Sequence, residues 1–381
     1  MASSRELFGD PVPARAPNRW AGVAAVAGGW LAALVVVASV LVAEGGPDTA
    51  SAALPAPAPE GSPPRGREIS IAWAGDITPG SSYGVPPDGG RAQFEQARDS
   101  IRRADLAIGN LEGTFSTGGG SKCGGKDGGN CFSFQAPPRN APALAWAGFD
   151  AMNLANNHSG DFGARGRSQT VAAVRGAGLA VTGRPGEITV LDTRRVRVAL
   201  VGFAPNTGVA DIRDIPGAQR TVRRAAKRAD VVLVLMHAGA EGTDKTHVPR
   251  GREIAFGQDR GNTRAFTHAV VDAGADAVLG SGPHVLRGIE LYRGKVIAYS
   301  LGNFAGWRNF AQGGTLSLTG LLQLNLSPEG SLRGGRFRSM KLTGPGVPAP
   351  DPTRASTKLV NRLGEEDFFG ARLRLLPDGS F

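Results

Sequence analysis

The sequence predicts an α/β fold built on mostly parallel strands, and three observations predict it. Short apolar runs rich in Val, Ile and Leu recur from Glu68 onward. They lack polar alternation, which marks strands buried on both faces. Amphipathic stretches of helical length lie between them, the order expected of a parallel sheet with crossover helices. The composition permits such a fold, because 381 residues that are 41% hydrophobic can bury a sizeable core. No repeat of fixed period is visible, which argues against solenoids and propellers. Two Cys are too few for a disulfide-rich scaffold or a four-cysteine zinc module.

The strands are expected at 68–74, 105–108, 151–154, 196–201, 230–236, 277–279 and 296–299. Helices are expected between them at 91–103, 141–147, 163–176, 219–228 and 263–273. The stretch "TLSLTGLLQLNL" at 315–326 partly alternates and predicts an antiparallel strand near a sheet edge. Beyond Gly344 the chain turns Pro-rich and then charged, so 346–381 is expected to be a tail of low order. The folded domain is therefore drawn at 68–345.

The N-terminal part reads differently. Residues 20–43 hold no charged side chain over 24 positions. As a helix at 1.5 Å per residue they reach about 36 Å, enough for a hydrocarbon core of roughly 30 Å. Arg15 and Arg19 precede this run, and Glu44 and Asp48 follow it. That bias predicts one transmembrane signal anchor with residues 1–19 in the cytoplasm and the rest outside. Cleavage of the segment near Ala43 is the competing reading. Residues 44–67, with "ALPAPAPEGSPPRG", read as an extended stalk. Cys123 and Cys131 sit in a Gly-rich loop, "SKCGGKDGGNC", and outside the cytoplasm they can pair. Closing so short a loop contributes about 2–3 kcal/mol in the chain-entropy account.

The net charge is +10, carried by 43 Lys and Arg of which 36 are Arg. Compositional bias explains most of this; attraction to a polyanion is the sharper reading. No helix-turn-helix, zinc finger or aromatic-plus-basic motif is visible, so nucleic acid is not expected as a partner. The Arg cluster at 219–228 reads as the solvated side of an amphipathic helix.

Chemistry gathers where the strands end, which is where open α/β sheets bind ligands. "ISIAWAGD" ends in Asp76, "ADLAIGNLE" in Asn110 and Glu112, and "FDAMNLANNH" in Asn156, Asn157 and His158. "DVVLVLMH" ends in His237 and "ADAVLGSGPH" in His284. A single His after a strand is usually structural, but five such endings at one rim point to a shared site. Of the remaining histidines, His268 lies inside an expected helix and reads as structural, and His247 stays ambiguous. A mixed Asp, Glu, Asn and His set suits Mn²⁺, Mg²⁺, Fe or Zn²⁺ better than a thiolate-preferring metal. Asn303 in "YSLGNF" either meets a ligand or caps its turn.

Taken in order, "IAWAGDIT", "ADLAIGNLEGTFS", "GFDAMNLANNHSGDFG", "DVVLVLMHAGAE" and "AVLGSGPHVLRGIELYRGKVIAYSLGNF" resemble the CapA-type poly-γ-glutamate capsule synthesis family. That family is similar in fold to the calcineurin-like metallophosphatases. The resemblance implies a four-layer α/β/β/α sandwich with one or two divalent ions at the strand ends. Asp76, Glu112, Asn157, His237 and His284 are the implied metal ligands. His158 is the implied general acid, with Asp161 either orienting it or capping the next helix. Asn110, Arg287 and Asn303 are the implied substrate contacts. Two departures stand out. Asp76 is followed by Ile77 and Thr78 rather than a Asp-x-His pattern, and Gly282 stands where a Gly-His-x-His pattern has its first His. Each of two ions would lose one imidazole, whereas three protein ligands and water suffice for one.

Function follows as an expectation. The chain reads as a membrane-anchored, extracytoplasmic capsule biosynthesis or assembly protein with a metal-dependent hydrolase-like site for amide or phosphoester bonds. Its expected partners are poly-γ-glutamate or a related anionic polymer and capsule-assembly membrane proteins. The alternatives are an extracytoplasmic metallophosphoesterase on small phosphoesters and a non-catalytic polymer-binding scaffold.

Overall fold

The computed structural model describes residues 67–124, 131–310 and 313–381. The anchor expected at 20–43 lies outside them, as does the stalk except for Arg67. Among the described residues no helix is long and apolar enough to cross a membrane.

Fourteen strands form two sheets. They are β1 (Ile69–Thr78), β2 (Leu106–Leu111), β3 (Ala151–Asn153), β4 (Ala180–Thr182), β5 (Thr189–Thr193), β6 (Val196–Phe203) and β7 (Val231–His237). Then come β8 (Ala277–Ser281), β9 (Ile289–Tyr292), β10 (Lys295–Ala298), β11 (Asn303–Gly306), β12 (Leu318–Leu326), β13 (Leu332–Thr343) and β14 (Val347–Pro350). The first sheet runs β14-β13-β12-β1-β2-β3-β4, with β11 beside the end of β1. The second runs β9-β10-β8-β7-β6-β5. β1 to β4 are mutually parallel, as are β6, β7, β8 and β10. Antiparallel strands flank both parallel cores.

Alternation along each strand builds three layers of core. Ile69, Ile71 and Trp73 of β1 meet Val231, Leu233 and Leu235 of β7 in one buried cluster between the sheets. Ala72, Ala74 and Ile77 face the other way, toward α1 (Arg98–Ile101), α2 (Pro142–Ala147) and α3 (Gly163–Gly176). Val232, Val234 and Met236 face α4 (Ile215–Ala226) and α5 (Thr263–Asp272). The layers therefore run helix, sheet, sheet, helix. This explains why the strands read as unbroken apolar runs: each buries both faces. The Trp73 indole donates to the Gly280 carbonyl at 3.0 Å, tying β1 to β8 just below the strand ends.

Three expectations need correction. Residues 91–103 are not one helix. Gly89 and Gly90 take left-handed φ of 64° and 98°, a 3₁₀ turn covers Asp88–Gln93, and only Arg98–Ile101 is α-helical. The strand placed near an edge, β12, lies inside the sheet between β1 and β13. The C-terminal region is ordered: β14 pairs with β13, and α6 (Ala355–Phe368) sends Leu359, Val360 and Leu363 into the inter-sheet core. Its apolar positions at i, i+1 and i+4 make the stripe that a charged composition conceals. The Arg220, Arg223 and Arg224 side of α4 is exposed while Ala218, Val222 and Ala225 are buried, as the sequence predicts. His268 Nε2 lies 3.0 Å from the Glu290 carboxylate, a structural role, and His247 lies at the surface 2.8 Å from Asp367.

Candidate metal centre

Every side chain of the site hangs from the carboxyl end of a parallel strand or the turn that follows it. β1 reaches the rim through a bulge at Gly75. A Cβ at that position would overlap the Gly302 carbonyl, so only glycine fits. The Asp76 N–H then donates to that carbonyl at 3.0 Å. Asp76 Oδ1 accepts from Asn110 Nδ2 at 2.8 Å and lies 3.2 Å from His237 Nδ1. Asp76 Oδ2 lies 3.0 Å from His284 Nδ1 and accepts the Gly282 N–H at 3.3 Å. His284 has a left-handed φ of 62°, a conformation seldom held without a reason in the surrounding structure.

Glu112 follows β2 and is fully buried. Its Oε1 lies 3.6 Å from His237 Nε2, 3.6 Å from His284 Nε2 and 3.7 Å from His158 Nε2. Neither carboxylate oxygen has a hydrogen-bond partner among the described residues, and neither does His237 Nε2. Ligand atoms of Asp76, Glu112 and His284 fall within 4.8 Å of one another. Buried acceptors left unpaired at the focus of three imidazoles fit a cation, which would satisfy them all at once. The oxygen and nitrogen donors suit a divalent ion of borderline hardness.

Around this cage a second ring of side chains fixes the ligands. Asn110 Nδ2 lies 3.0 Å from His237 Nδ1 as well as bonding Asp76, and its Oδ1 accepts from Asn153 at 2.9 Å. Ser281 Oγ is 3.2 Å from the same His237 nitrogen. His158 Nδ1 is 2.8 Å from Asp161 Oδ2, and its ring packs on Phe134 at 4.3 Å. Asp161 also accepts the Phe134 N–H at 2.7 Å and pairs with Lys122 Nζ at 2.7 Å. The first turn of α3 has Phe162 at its cap position with no side-chain bond, so Asp161 orients His158 and caps nothing. That leaves His158 Nε2 directed toward the cage.

The electrostatics suit a cation. Burial pushes Asp76 up, but His237 and His284 outweigh it and hold the carboxyl well below the usual range. Burial raises Glu112 above its ordinary 4.5, and the Asp76 charge adds to that against the three imidazoles. Burial alone would lower His284, yet Glu112, Asp76 and Glu241 together push it up to about 10. Without a metal, the imidazolium of His284 does part of the work of a cation.

Residues 70–306, which contain all of these groups, match the family model "Bacterial capsule synthesis protein PGA_cap". The chain belongs to that family. A PGA biosynthesis protein CapA from Bacillus subtilis is 29% identical over 289 residues, covering 71% of this chain and 70% of that protein. A capsule biosynthesis protein CapA from Bacillus anthracis is 34% identical over 218 residues, covering 51% of this chain and 49% of that protein. Among solved structures, a 5'-nucleotidase precursor from Thermus thermophilus overlays with a TM-score of 0.41 at 14% identity, over 78% of this chain and 59% of that one. The NAD nucleotidase of Haemophilus influenzae overlays with a TM-score of 0.39 at 13% identity, over 80% and 57%.

Not every residue expected at the site takes the expected part. Asp76, Glu112, His158, His237 and His284 meet around one point. Asn157 is half-buried; its Oδ1 has no partner among the described residues, and its carbonyl accepts from Lys122 at 3.2 Å. Asn303 is beside Asp76 in the β1–β11 pairing, with Nδ2 on the Leu316 carbonyl at 3.3 Å. Asn110 is 0% exposed and its polar atoms are committed to Asp76, His237 and Asn153, so it braces the cage instead of meeting substrate. Arg287 is corrected too. It is 1% exposed, its guanidinium grips Glu253 at 2.6 and 3.1 Å, and its Nε donates to the Lys245 carbonyl. Glu253 in turn accepts the Ala240 N–H at 2.9 Å, so the pair fixes the loop after His237. Sequence reading passed over Glu241, whose Oε2 lies 3.9 Å from His284 Nε2, although it closes the quoted stretch "MHAGAE". It also passed over Lys122, whose only signal was its place beside Cys123. Cys123 and Cys131 form a disulfide.

Proposed function

We propose that this chain is a membrane-anchored, outward-facing protein of capsule-polymer assembly that acts on an amide or phosphoester bond of poly-γ-glutamate or a related anionic polymer. In this reading the metallophosphatase-like arrangement of the two sheets holds one divalent ion through Asp76, Glu112, His237 and His284, with Asn157 available at its margin. Glu112 carries the proposal: a fully buried carboxylate whose two oxygens lack hydrogen-bond partners among the described residues, with three imidazole nitrogens within 3.7 Å, offers what a cation would take up. Family membership supports the capsule context, and the uncharged run at 20–43 supports the anchor.

A cation held there would supply Lewis-acid polarisation of a phosphoryl or carbonyl oxygen and acidify a water. The chain's own residues do the rest. Asp161 and Phe134 hold the His158 ring so that Nε2 faces the cage and can give a proton to the departing group. Lys122 keeps Asp161 in place. Asn110 and Ser281 fix His237.

The test uses the full chain in detergent with Mn²⁺, incubated with poly-γ-glutamate, a phosphodiester and a phosphomonoester. Polymer shortening or end transfer that is lost in His158→Ala and in Glu112→Gln is the expected result. Release of phosphate from the small esters with the polymer untouched would move the substrate to phosphoesters. No turnover with any divalent ion would leave a scaffold and overturn the hydrolase reading.

A further inference from the structure

A second polar groove lies away from the cage, along the free edge of β13. β14 pairs only with Met340–Thr343 of that strand, and the C-terminal residues Gly379 and Phe381 bond back to Phe337 and Gly335. Between these two flanks opens a pocket of about 260 Å³ lined by Arg336, Arg338, Ser339, Arg354 and Thr357, among others. Phe337 points into the inter-sheet core, so alternation sends Arg338 to the opposite face with Met340. In register, Arg338 pairs with Leu321 and Leu321 with Ala74. The groove is thus two strands, roughly 10 Å of backbone, from β1.

Its charges are out of balance. Two carboxylates, Asp351 and Asp378, also line it. Asp351 is spent on Thr353 and on the Ala355 N–H at the start of α6. Asp378 is spent on Ser380 and on Arg336 at 3.0 Å. Arg338 forms no ion pair or side-chain hydrogen bond among the described residues, and its Nε is buried without a partner. Ser339, the next residue along the strand, turns its Oγ to the other face, where it too is buried without a partner among the described residues. Burial and the neighbouring charges of Arg336 and Arg103 hold the Arg338 guanidinium below its ordinary value. A native chain seldom leaves a buried donor idle in a pocket and packs like charges around it unless something fills the space.

We propose that this groove is an oxoanion-binding site, distinct from the metal cage, which takes a carboxylate or phosphate group on Arg338 with Arg354 at its mouth. A planar guanidinium offers the paired donors that such a group requires. The same chemistry belongs to the side groups of an acidic polymer and to phosphorylated small molecules. The site stands whether or not the cage is catalytic.

The experiment is titration of the full chain in detergent with a γ-linked glutamate oligomer and, separately, with inorganic phosphate, read by calorimetry and by ¹⁵N resonances of Arg side chains. We expect saturable binding of at least one probe, weakened about tenfold to hundredfold in Arg338→Gln and less in Arg354→Gln. Binding should fall with added salt. Arg338→Gln should melt no lower than the parent, because it removes a repelled charge; Arg354→Gln, at the exposed mouth, is a second variant whose folding is not at risk. Oligomer binding alone assigns the groove to polymer, and phosphate binding alone to a phosphorylated ligand. Equal affinity in a folded Arg338→Gln, or no saturable binding of either probe, overturns the proposal.

Discussion

Replacing Glu112 with Gln should make the metal-free protein more stable and the metal-bound protein impossible to form. The carboxyl is fully buried, and both oxygens lack partners among the described residues. An unsatisfied buried polar group costs about 1–3 kcal/mol, and more when charged. The sign of the pH dependence follows from the direction of the shift. Glu112 binds its proton more tightly folded than unfolded, so its cost is absent below the ordinary value of 4.5 and grows as pH rises above it. Gln keeps the shape and removes the titration. At pH 8 the variant without metal should gain on the order of 1–3 kcal/mol, or about 2–4 °C of melting temperature per kcal/mol. At pH 4 the gain should vanish. Mn²⁺ at a hundred times its dissociation constant should stabilise the parent by about 2.7 kcal/mol and the variant not at all. Thermal melts at both pH values with and without Mn²⁺, together with elemental analysis, decide it. A variant that melts below the parent at pH 8, or that still binds the ion, refutes the argument that Glu112 is held unsatisfied for a cation.

His284 makes ion binding release protons. Its value of about 10, raised above the ordinary 6.5, means that its ion-pair stabilisation is complete below 6.5 and lost as pH rises through 10. Mn²⁺ affinity should therefore rise with pH across 6.5 to 10, and calorimetry in buffers of different ionisation heat should show proton release at pH 7.5; no buffer dependence would count against the cage. Arg287→Ala should lose about 3–5 kcal/mol of stability by stranding Glu253, and Arg287→Ala with Glu253→Met should recover much of it; unchanged melting would show the pair to be dispensable. Reducing the Cys123–Cys131 bond, whose cysteines are 8 positions apart, should cost about 2–3 kcal/mol and free both thiols to labelling.

Much of the fold was legible because burial on both faces leaves a plain mark. The runs that became β1, β2, β6, β7 and β8 are apolar without alternation, and each was visible as such. The site was legible for a related reason: a strand that ends in Asp, Glu or His after so apolar a run has to place that group at the rim. Less legible was whatever depends on partners remote in the chain. β13 carries Gly334, Gly335, Arg336 and Arg338, residues that do not resemble a strand until β12 pairs with them. With β13 unseen, β12 looked like an edge. Residues 91–103 have Phe94, Ala97 and Ile101 at helical spacing, and all three are buried, but the backbone between them turns instead of coiling regularly. Arg287 stands close to His284 in a motif and so resembles a substrate contact. Its partner Glu253 is 34 residues away, and nothing in the local sequence announces an ion pair.

The cage belongs to neither sheet alone. Asp76, Glu112 and His158 come from the first and His237 and His284 from the second, so their nitrogens and oxygens converge only when the two inner faces are seated. Trp73 reaching the Gly280 carbonyl, and the Leu and Val side chains packed beneath, set that seating. Without an ion, two carboxylates and three imidazoles are crowded at one rim of the sheets, and part of the stability gained in the apolar core offsets that crowding. An ion held there would join the two sheets, with the unsatisfied atoms as its ligands. The apolar core and the polar rim are thus two ends of one design: the core supplies the rigidity that keeps a site with unpartnered groups from relaxing, and an ion bound at the rim would in return stabilise the folded state over the unfolded chain.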